Sequence, residues 1–307
     1  MQPIPRYWAT ADEVVTFPGR GEFALTIRGS SDLSQEDAQR DARARLQRLV
    51  AAGGPGALRG DLEYYPDRRL PEELLEEVRS PDGELIAAIT RNRYGAAVLN
   101  TDAVLISDVD LTTGSEMSSR RRGRGGLLSR LFGGGRDGAG AEEDPDAYGL
   151  PDPGARGEEH ARILQVIADF SVRHPELGMR TYRTRNGFRL LVTGSGAEPG
   201  SERARQLMSE LGSDRLYVLL CRVHDSYRAR LTPKPWRITV DRLESLSARS
   251  PRDQEYRRWV ERYDAASRDS AVCRLLETAG PAPTAREQQV IELHDRAVGA
   301  SSGLRLA

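Results

Sequence analysis

Lysine is nearly missing from this chain of 307 residues. Lys234 is the single lysine among 45 basic residues, so the other 44 are arginine. Schiff-base chemistry is thereby confined to one position, whereas oxyanion binding by forked guanidinium groups is open almost everywhere. An arginine-rich composition explains most of them, so the informative question is where they cluster. Cysteine is almost as scarce. Cys221 and Cys273 make neither a CxxC pair nor a disulfide framework, which fits a reducing compartment. The four histidines, His160, His174, His224 and His294, show no HxH or HExxH spacing, which speaks against a dedicated zinc site. No run approaches the roughly 18 apolar residues of a membrane span. The opening Met1-Gln2-Pro3-Ile4-Pro5-Arg6 has no apolar signal core, so a cytoplasmic protein is expected. A net charge of −1 excludes a wholesale basic coat for nucleic acid.

What is present fits a globular chain with one biased tract: 38% hydrophobic and 30% charged residues. Phe23, Leu25 and Ile27 alternate as in a half-buried strand. Ser34, three residues before Asp37, starts a helix expected to run to about Ala52. Pro71 with Glu72 and Glu73 reads as the first turn of a short helix. Strands are expected over 84–91, 95–100 and 103–110. The last, Ala103-Val104-Leu105-Ile106-Ser107-Asp108-Val109-Asp110, is apolar enough for a central, doubly covered strand. From 115 to 157 the chain turns to Gly and Arg, then to acid, and reads as a disordered insertion. Its Arg122-Gly123-Arg124-Gly125-Gly126 is RGG-like. A helix follows over 158–173, then a hairpin turning at Arg185-Asn186-Gly187, then a helix over 200–211. The stretch 215–231 fits a helix and a strand equally. From Asp253 the tail reads helical, with Tyr256, Trp259, Tyr263 and Leu275 inward, and its last helix starts at a Thr284…Glu287 capping box.

With 215–223 as a strand, residues 103–223 read β-α-β-β-α-β, the ferredoxin-like order. The expected architecture is therefore α+β. It comprises a strand-rich segment over 1–114, the insertion over 115–157, the rest of a ferredoxin-like, palm-type unit over 158–245, and a helical region over 246–307.

Three clusters could carry chemistry. Asp108 and Asp110 lie two apart on a strand and so share a face. Two carboxylates that close favour a cation between them, and hard oxygen ligands suit Mg²⁺ or Mn²⁺. Aspartates at a strand end also serve simply to cap the next turn. Arg183, Arg185 and Arg189 crowd the hairpin, where they could neutralise phosphate or only blunt an exposed strand. In Arg228-Ala229-Arg230-Leu231-Thr232-Pro233-Lys234-Pro235-Trp236-Arg237, the cations Arg230, Lys234 and Arg237 surround a tryptophan. That combination suits an anionic pocket with a stacking platform, or a tryptophan that anchors a loop.

The palm-like order with Asp108 and Asp110 on its first strand resembles the archaeo-eukaryotic primase superfamily. The resemblance implies metal-dependent nucleotidyl transfer on a nucleotide or nucleic acid, with both aspartates as catalytic metal ligands. Arg189 stands where that family carries a histidine, and no third carboxylate is identified; Asp225 and Asp241 are candidates. Leu105-Ile106-Ser107-Asp108-Val109-Asp110-Leu111-Thr112 also resembles the first motif of the haloacid dehalogenase phosphatases. That resemblance implies Asp108 as nucleophile, Asp110 as acid/base, a threonine at Leu190-Leu191-Val192-Thr193, and Lys234 as the family's lysine. A third expectation is a non-catalytic, degenerate palm acting as a nucleic-acid-binding or interaction module.

Overall fold

The computed structural model describes residues 4–17, 21–51, 70, 72–111, 153–243 and 254–307. The chain divides into two compact units. One comprises Pro5–Pro71 with Thr112–Arg156; the other comprises Met1–Ile4, Glu72–Leu111 and Gly157–Ala307.

The first unit is a hairpin carrying a helix. Strands β1 (Tyr7–Phe17) and β2 (Gly21–Ser31) pair antiparallel, with Tyr7 opposite Ser31. Helix α1 (Gln35–Ala51) buries Ala38, Ala42, Leu46 and Leu49, and its core with the hairpin includes Ala11 and Leu25. The Ser34 hydroxyl accepts from the Asp37 amide at 3.1 Å, as the capping pattern predicts.

The second unit is α+β and holds two antiparallel four-stranded sheets. In one, β3 (Glu73–Arg79), β4 (Leu85–Arg91), β5 (Ala97–Thr101) and β9 (Tyr227–Arg230) lie in that order. In the other the order is β10-β7-β8-β6. Its strands are β6 (Leu105–Asp110), β7 (Gly178–Thr184), β8 (Gly187–Thr193) and β10 (Cys273–Ala279). Helices α2 (Pro153–Arg173), α3 (Glu202–Glu210), α4 (Arg215–His224), α5 (Gln254–Ser267) and α6 (Ala285–Val298) complete the unit. One continuous core joins Ile86, Leu99, Ile106, Leu190, Phe170, Leu207 and Ile291.

Several expectations change. The segment after Pro71 is strand, not helix: β3 begins at Glu73 and pairs with β4, so tertiary pairing overrides the proline-acid signal. Residues 215–223 form α4, with Asp214 accepting from the Tyr217 amide at 2.9 Å and Asp225 ending the helix left-handed at φ 49°. The following strand, β9, joins the β3-β4-β5 sheet instead of closing a ferredoxin-like one. β6 is covered on both faces but stands last in its ladder. Beyond it the Tyr217 hydroxyl lies 2.9 Å from Ile106 O and 3.0 Å from Arg228 O, a link between β6 and β9. The tail is not all helical, because Leu275 belongs to β10. Most of the biased tract, 112–152, lies outside the described residues, and α2 already starts at Pro153.

The hairpin forms where Asn186-Gly187 predicts it. Gly187 opens β8 with its φ outside the left-handed region, so the turn does not need it. A Cβ there would sit 2.0 Å from Val109 O, so the glycine admits β6 to the hairpin beside the aspartates.

Candidate functional site

Register decides what each charged side chain meets. Asp108 on β6 stands directly opposite Arg189 on β8, which stands opposite Tyr182 on β7. Directly opposed residues share a face. Arg189 Nε donates to one Asp108 carboxylate oxygen at 2.7 Å and Nη2 to the other at 2.9 Å. Its Nη1 donates to Arg230 O at 2.8 Å, tying β8 to β9. Arg189 is 2% exposed and Asp108 about a third exposed. Burial opposes charge on Arg189, but Asp108 outweighs it, so the guanidinium titrates above its ordinary range.

Asp110, at the end of β6, keeps contact with solvent, yet the surrounding protein pushes its carboxyl up to about 6. Asp108 and Asp214 add to that push, while Lys234 and Arg230 pull the other way. Asp214 is thus a third acid near the pair, two residues beyond Gly212, and sequence reading passed over it. Its position immediately before an amphipathic helix marked it as a cap, and capping is what one of its oxygens does.

The basic segment after β9 is tightly held. Leu231 N donates to Ala97 O at 2.8 Å, Ala97 N donates to the Thr232 hydroxyl at 2.8 Å, and the Tyr263 hydroxyl donates to Pro233 O at 2.5 Å. Tyr263 stacks on Trp259 at 4.8 Å between centroids. Trp259 packs where only a glycine, Gly95 at φ +97°, leaves room. Pro235–Ile238 makes one 3₁₀ turn, ending at Thr239 with φ 62°. Asp225 and Thr239 are the two non-glycine residues with positive φ among the described residues, and they bracket the segment.

Arg230 and Arg228 lie on one face of β9, opposite Val98 and Asn100. Arg228 is matched: its Nη2 donates to both Glu72 oxygens at 2.7 Å. Arg230 is not. Its Nε is buried without a hydrogen-bond partner among the described residues. Burial first, then Arg237 and Arg189, lower the Arg230 guanidinium to about 10, against the pull of Asp108. It therefore stays charged at neutral pH. The indole N–H of Trp236 is likewise buried without a partner. Lys234 Nζ stands over the Trp236 ring at 5.4 Å, and the Tyr94 ring meets Trp236 edge-on at 5.2 Å. Arg93 covers the Tyr94 ring at 4.6 Å.

Behind Arg189 lies a buried polar network that sequence reading missed. His294 on α6 is fully buried, with Nε2 3.5 Å from Arg189 Nη1 and Nδ1 3.0 Å from an Asp295 oxygen. Asp295 also accepts from the Tyr182 hydroxyl at 2.6 Å and from Arg180 at 2.7 Å. Burial lowers the His294 pKa, with Arg189 in the same sense and Asp295 opposing. A neutral ring accepts from Arg189 and donates to Asp295. The signal was available: His294 falls at the inward spacing of Val290, Ile291 and Val298.

Of the residues expected to act together, the structure gathers Asp108, Asp110, Arg189, Arg230, Lys234 and Arg237. Arg183 is one residue on from Tyr182, hence on the opposite face of the sheet. There it stacks on Phe188 at 5.2 Å and contacts His160. Arg185 is exposed at the hairpin tip. Among the described residues no three of His, Cys, Asp and Glu come together to hold a metal. Both Asp108 oxygens accept from Arg189, so any cation at this carboxylate would share it with a guanidinium. No helix among the described residues is long and apolar enough to cross a membrane. Comparison with family models, curated proteins and solved structures returns no match to this chain.

Proposed function

We propose that this chain is a phosphate-binding module for a nucleotide or nucleic acid that works without metal. The observation that carries this reading is Arg230, a half-buried arginine whose Nε is buried without a hydrogen-bond partner among the described residues. A buried donor without an acceptor on a charged group is costly, and an anionic ligand that reaches it removes the cost. Lys234 and Arg237 stand in the same segment to share that ligand. Arg189 plays another part. By holding Asp108 with two hydrogen bonds it supplies the counter-charge that a metal would otherwise give that carboxylate, which favours a reading without metal-dependent nucleotidyl transfer. The same bonds give Asp108 an ion-pair role in the fold, which is favoured here over that of a phosphatase nucleophile.

Binding of a fluorescent nucleoside triphosphate and of a labelled single-stranded oligonucleotide, each in EDTA and in Mg²⁺, tests this. The expected result is binding of at least one of them, equal within about twofold in the two buffers. Binding, or nucleotide incorporation, that requires Mg²⁺ or Mn²⁺ and is lost in Asp110→Asn would restore the nucleotidyltransferase reading. Phosphomonoester hydrolysis lost in Asp108→Asn would restore the phosphatase one.

A further inference from the structure

We infer that the outer edge of β2 is a self-association surface, on which a second copy of this chain docks antiparallel over Glu22–Arg28. This surface lies in the first compact unit and owes nothing to phosphate binding.

Main-chain hydrogen bonding shows which edges are open. In an antiparallel hairpin, alternate residue pairs turn their N–H and C=O groups outward. Trp8–Ser30 and Thr10–Arg28 belong to this set, and α1 meets several of their groups. Gln35 Nε2 donates to Trp8 O at 2.7 Å, Gln39 Nε2 to Thr10 O at 2.9 Å, and Ser30 N to Asp41 at 3.0 Å. The same alternation turns the main chain of Glu22, Ala24, Thr26 and Arg28 outward on β2. Among the described residues no third strand joins this sheet. The register is unbroken, so no bulge interrupts the edge, and no proline or lysine guards it. Such an edge is a template for another strand.

What the edge fits is itself. A two-fold axis through Leu25 sets Glu22 opposite the second copy's Arg28, and Ala24 opposite its Thr26. All four turn their main-chain groups outward, so each opposed pair exchanges both N–H···O bonds, about eight in all. Glu22 and Arg28 are exposed and are the only charged residues of this stretch. Opposite charges directly across a strand pair stabilise it, and like charges destabilise it. The face toward α1 agrees. Leu25 is buried there, Ile27 is half-buried, and a Cβ on Gly29 would stand 2.1 Å from Ala42 N. Across the axis Leu25 meets its own counterpart, which extends the apolar layer beneath α1 from one copy into the next. The ladder stops short of Ser30, whose amide Asp41 already holds. β1 offers no equivalent: Trp8 O and Thr10 O are taken, and an axis through Val14 sets Asp12 opposite Thr16 without a basic partner.

Sedimentation equilibrium of the full chain at low salt, over a range of micromolar concentrations, tests this. A reversible monomer–dimer equilibrium is expected. Ala24→Pro removes an amide that the hairpin itself does not use and should abolish the dimer. Glu22→Arg and Arg28→Glu should each weaken it by about tenfold or more, by setting like charges opposite one another. The double variant Glu22→Arg/Arg28→Glu should return to within about threefold of the unaltered chain, because the swap restores opposite charges at both pairs. Within one copy these side chains lie opposite Thr16 and Thr10, so the reversals break no ion pair across the hairpin. They carry the test should Ala24→Pro fail to fold. A chain that stays monomeric at every concentration would overturn the inference. So would a dimer indifferent to the reversals, or single losses that the double variant does not repair.

Discussion

The two arginines of β9 share a strand and a face, and their surroundings differ in kind. Arg228 is closed on itself by Glu72, which takes two hydrogen bonds from one guanidinium nitrogen and one from Thr90 at 2.6 Å. Arg230, two residues on, faces Arg237 and Arg189 and has a buried Nε without a partner. Arg228 is part of what holds the fold together. Arg230 is a charge the fold tolerates, and that contrast identifies a site better than the density of arginine does. The same division separates Arg189, matched by Asp108, from Arg230.

The comparison breaks most visibly at the matched pairs. Asp108→Ala leaves Arg189 buried without its carboxylate and should destabilise the protein by about 3–5 kcal/mol in denaturant unfolding. Asp108→Leu with Arg189→Met should recover much of that loss, since two apolar groups replace a buried pair with little penalty. No recovery would mean that the contact to Arg230 O or His294 matters more than the ion pair. Arg228→Met strands Glu72 and should cost about 2 kcal/mol, on the scale of hydrogen bonds to charged groups. Arg230→Met should have the opposite sign, raising stability by up to about 1 kcal/mol in the absence of ligand because a buried donor without an acceptor is removed. A lower melting temperature for Arg230→Met would make Arg230 structural after all.

The smallest effect is a dependence on pH. His294 titrates lower in the folded protein than in the unfolded chain. Its contribution is present above the unfolded value near 6.5 and is lost as pH falls below it, because the unfolded chain binds the proton more readily. Asp110, pushed up to about 6, works the other way, losing stability as pH rises through that value. Melting from pH 8 to 5 in an Asp110→Asn background should therefore fall, and His294→Leu should flatten that slope. An unchanged slope would remove His294 from the account.

Local chemistry was legible in the sequence. The hairpin at 185–187, the caps at Ser34 and Thr284, and the strand bearing Asp108 all rest on patterns a few residues long. What escaped depends on distance along the chain. Asp108 and Arg189 meet because β6 and β8 pair in one register, 81 residues apart, and nothing local encodes that register. Glu72 finds Arg228 across 156 residues, after a proline-acid start that reads as helix. The ambiguity at 215–231 resolved into both answers, α4 and then β9, divided at Asp225. Arg183 and Arg189 look equivalent on paper, yet the alternation of strand faces sends them to opposite sides.

Thr239 closes the basic segment with a left-handed backbone, a conformation β-branched residues seldom take. Glycine would hold it without strain, so Thr239→Gly is a substitution toward comfort at the very hinge of the cation-bearing loop. A loop clamped in an uncomfortable shape presents its charges ready-made, and its ligand has little ordering left to do on arrival. Relaxing that one residue would separate the affinity that comes from charge from the affinity that comes from having been set in advance.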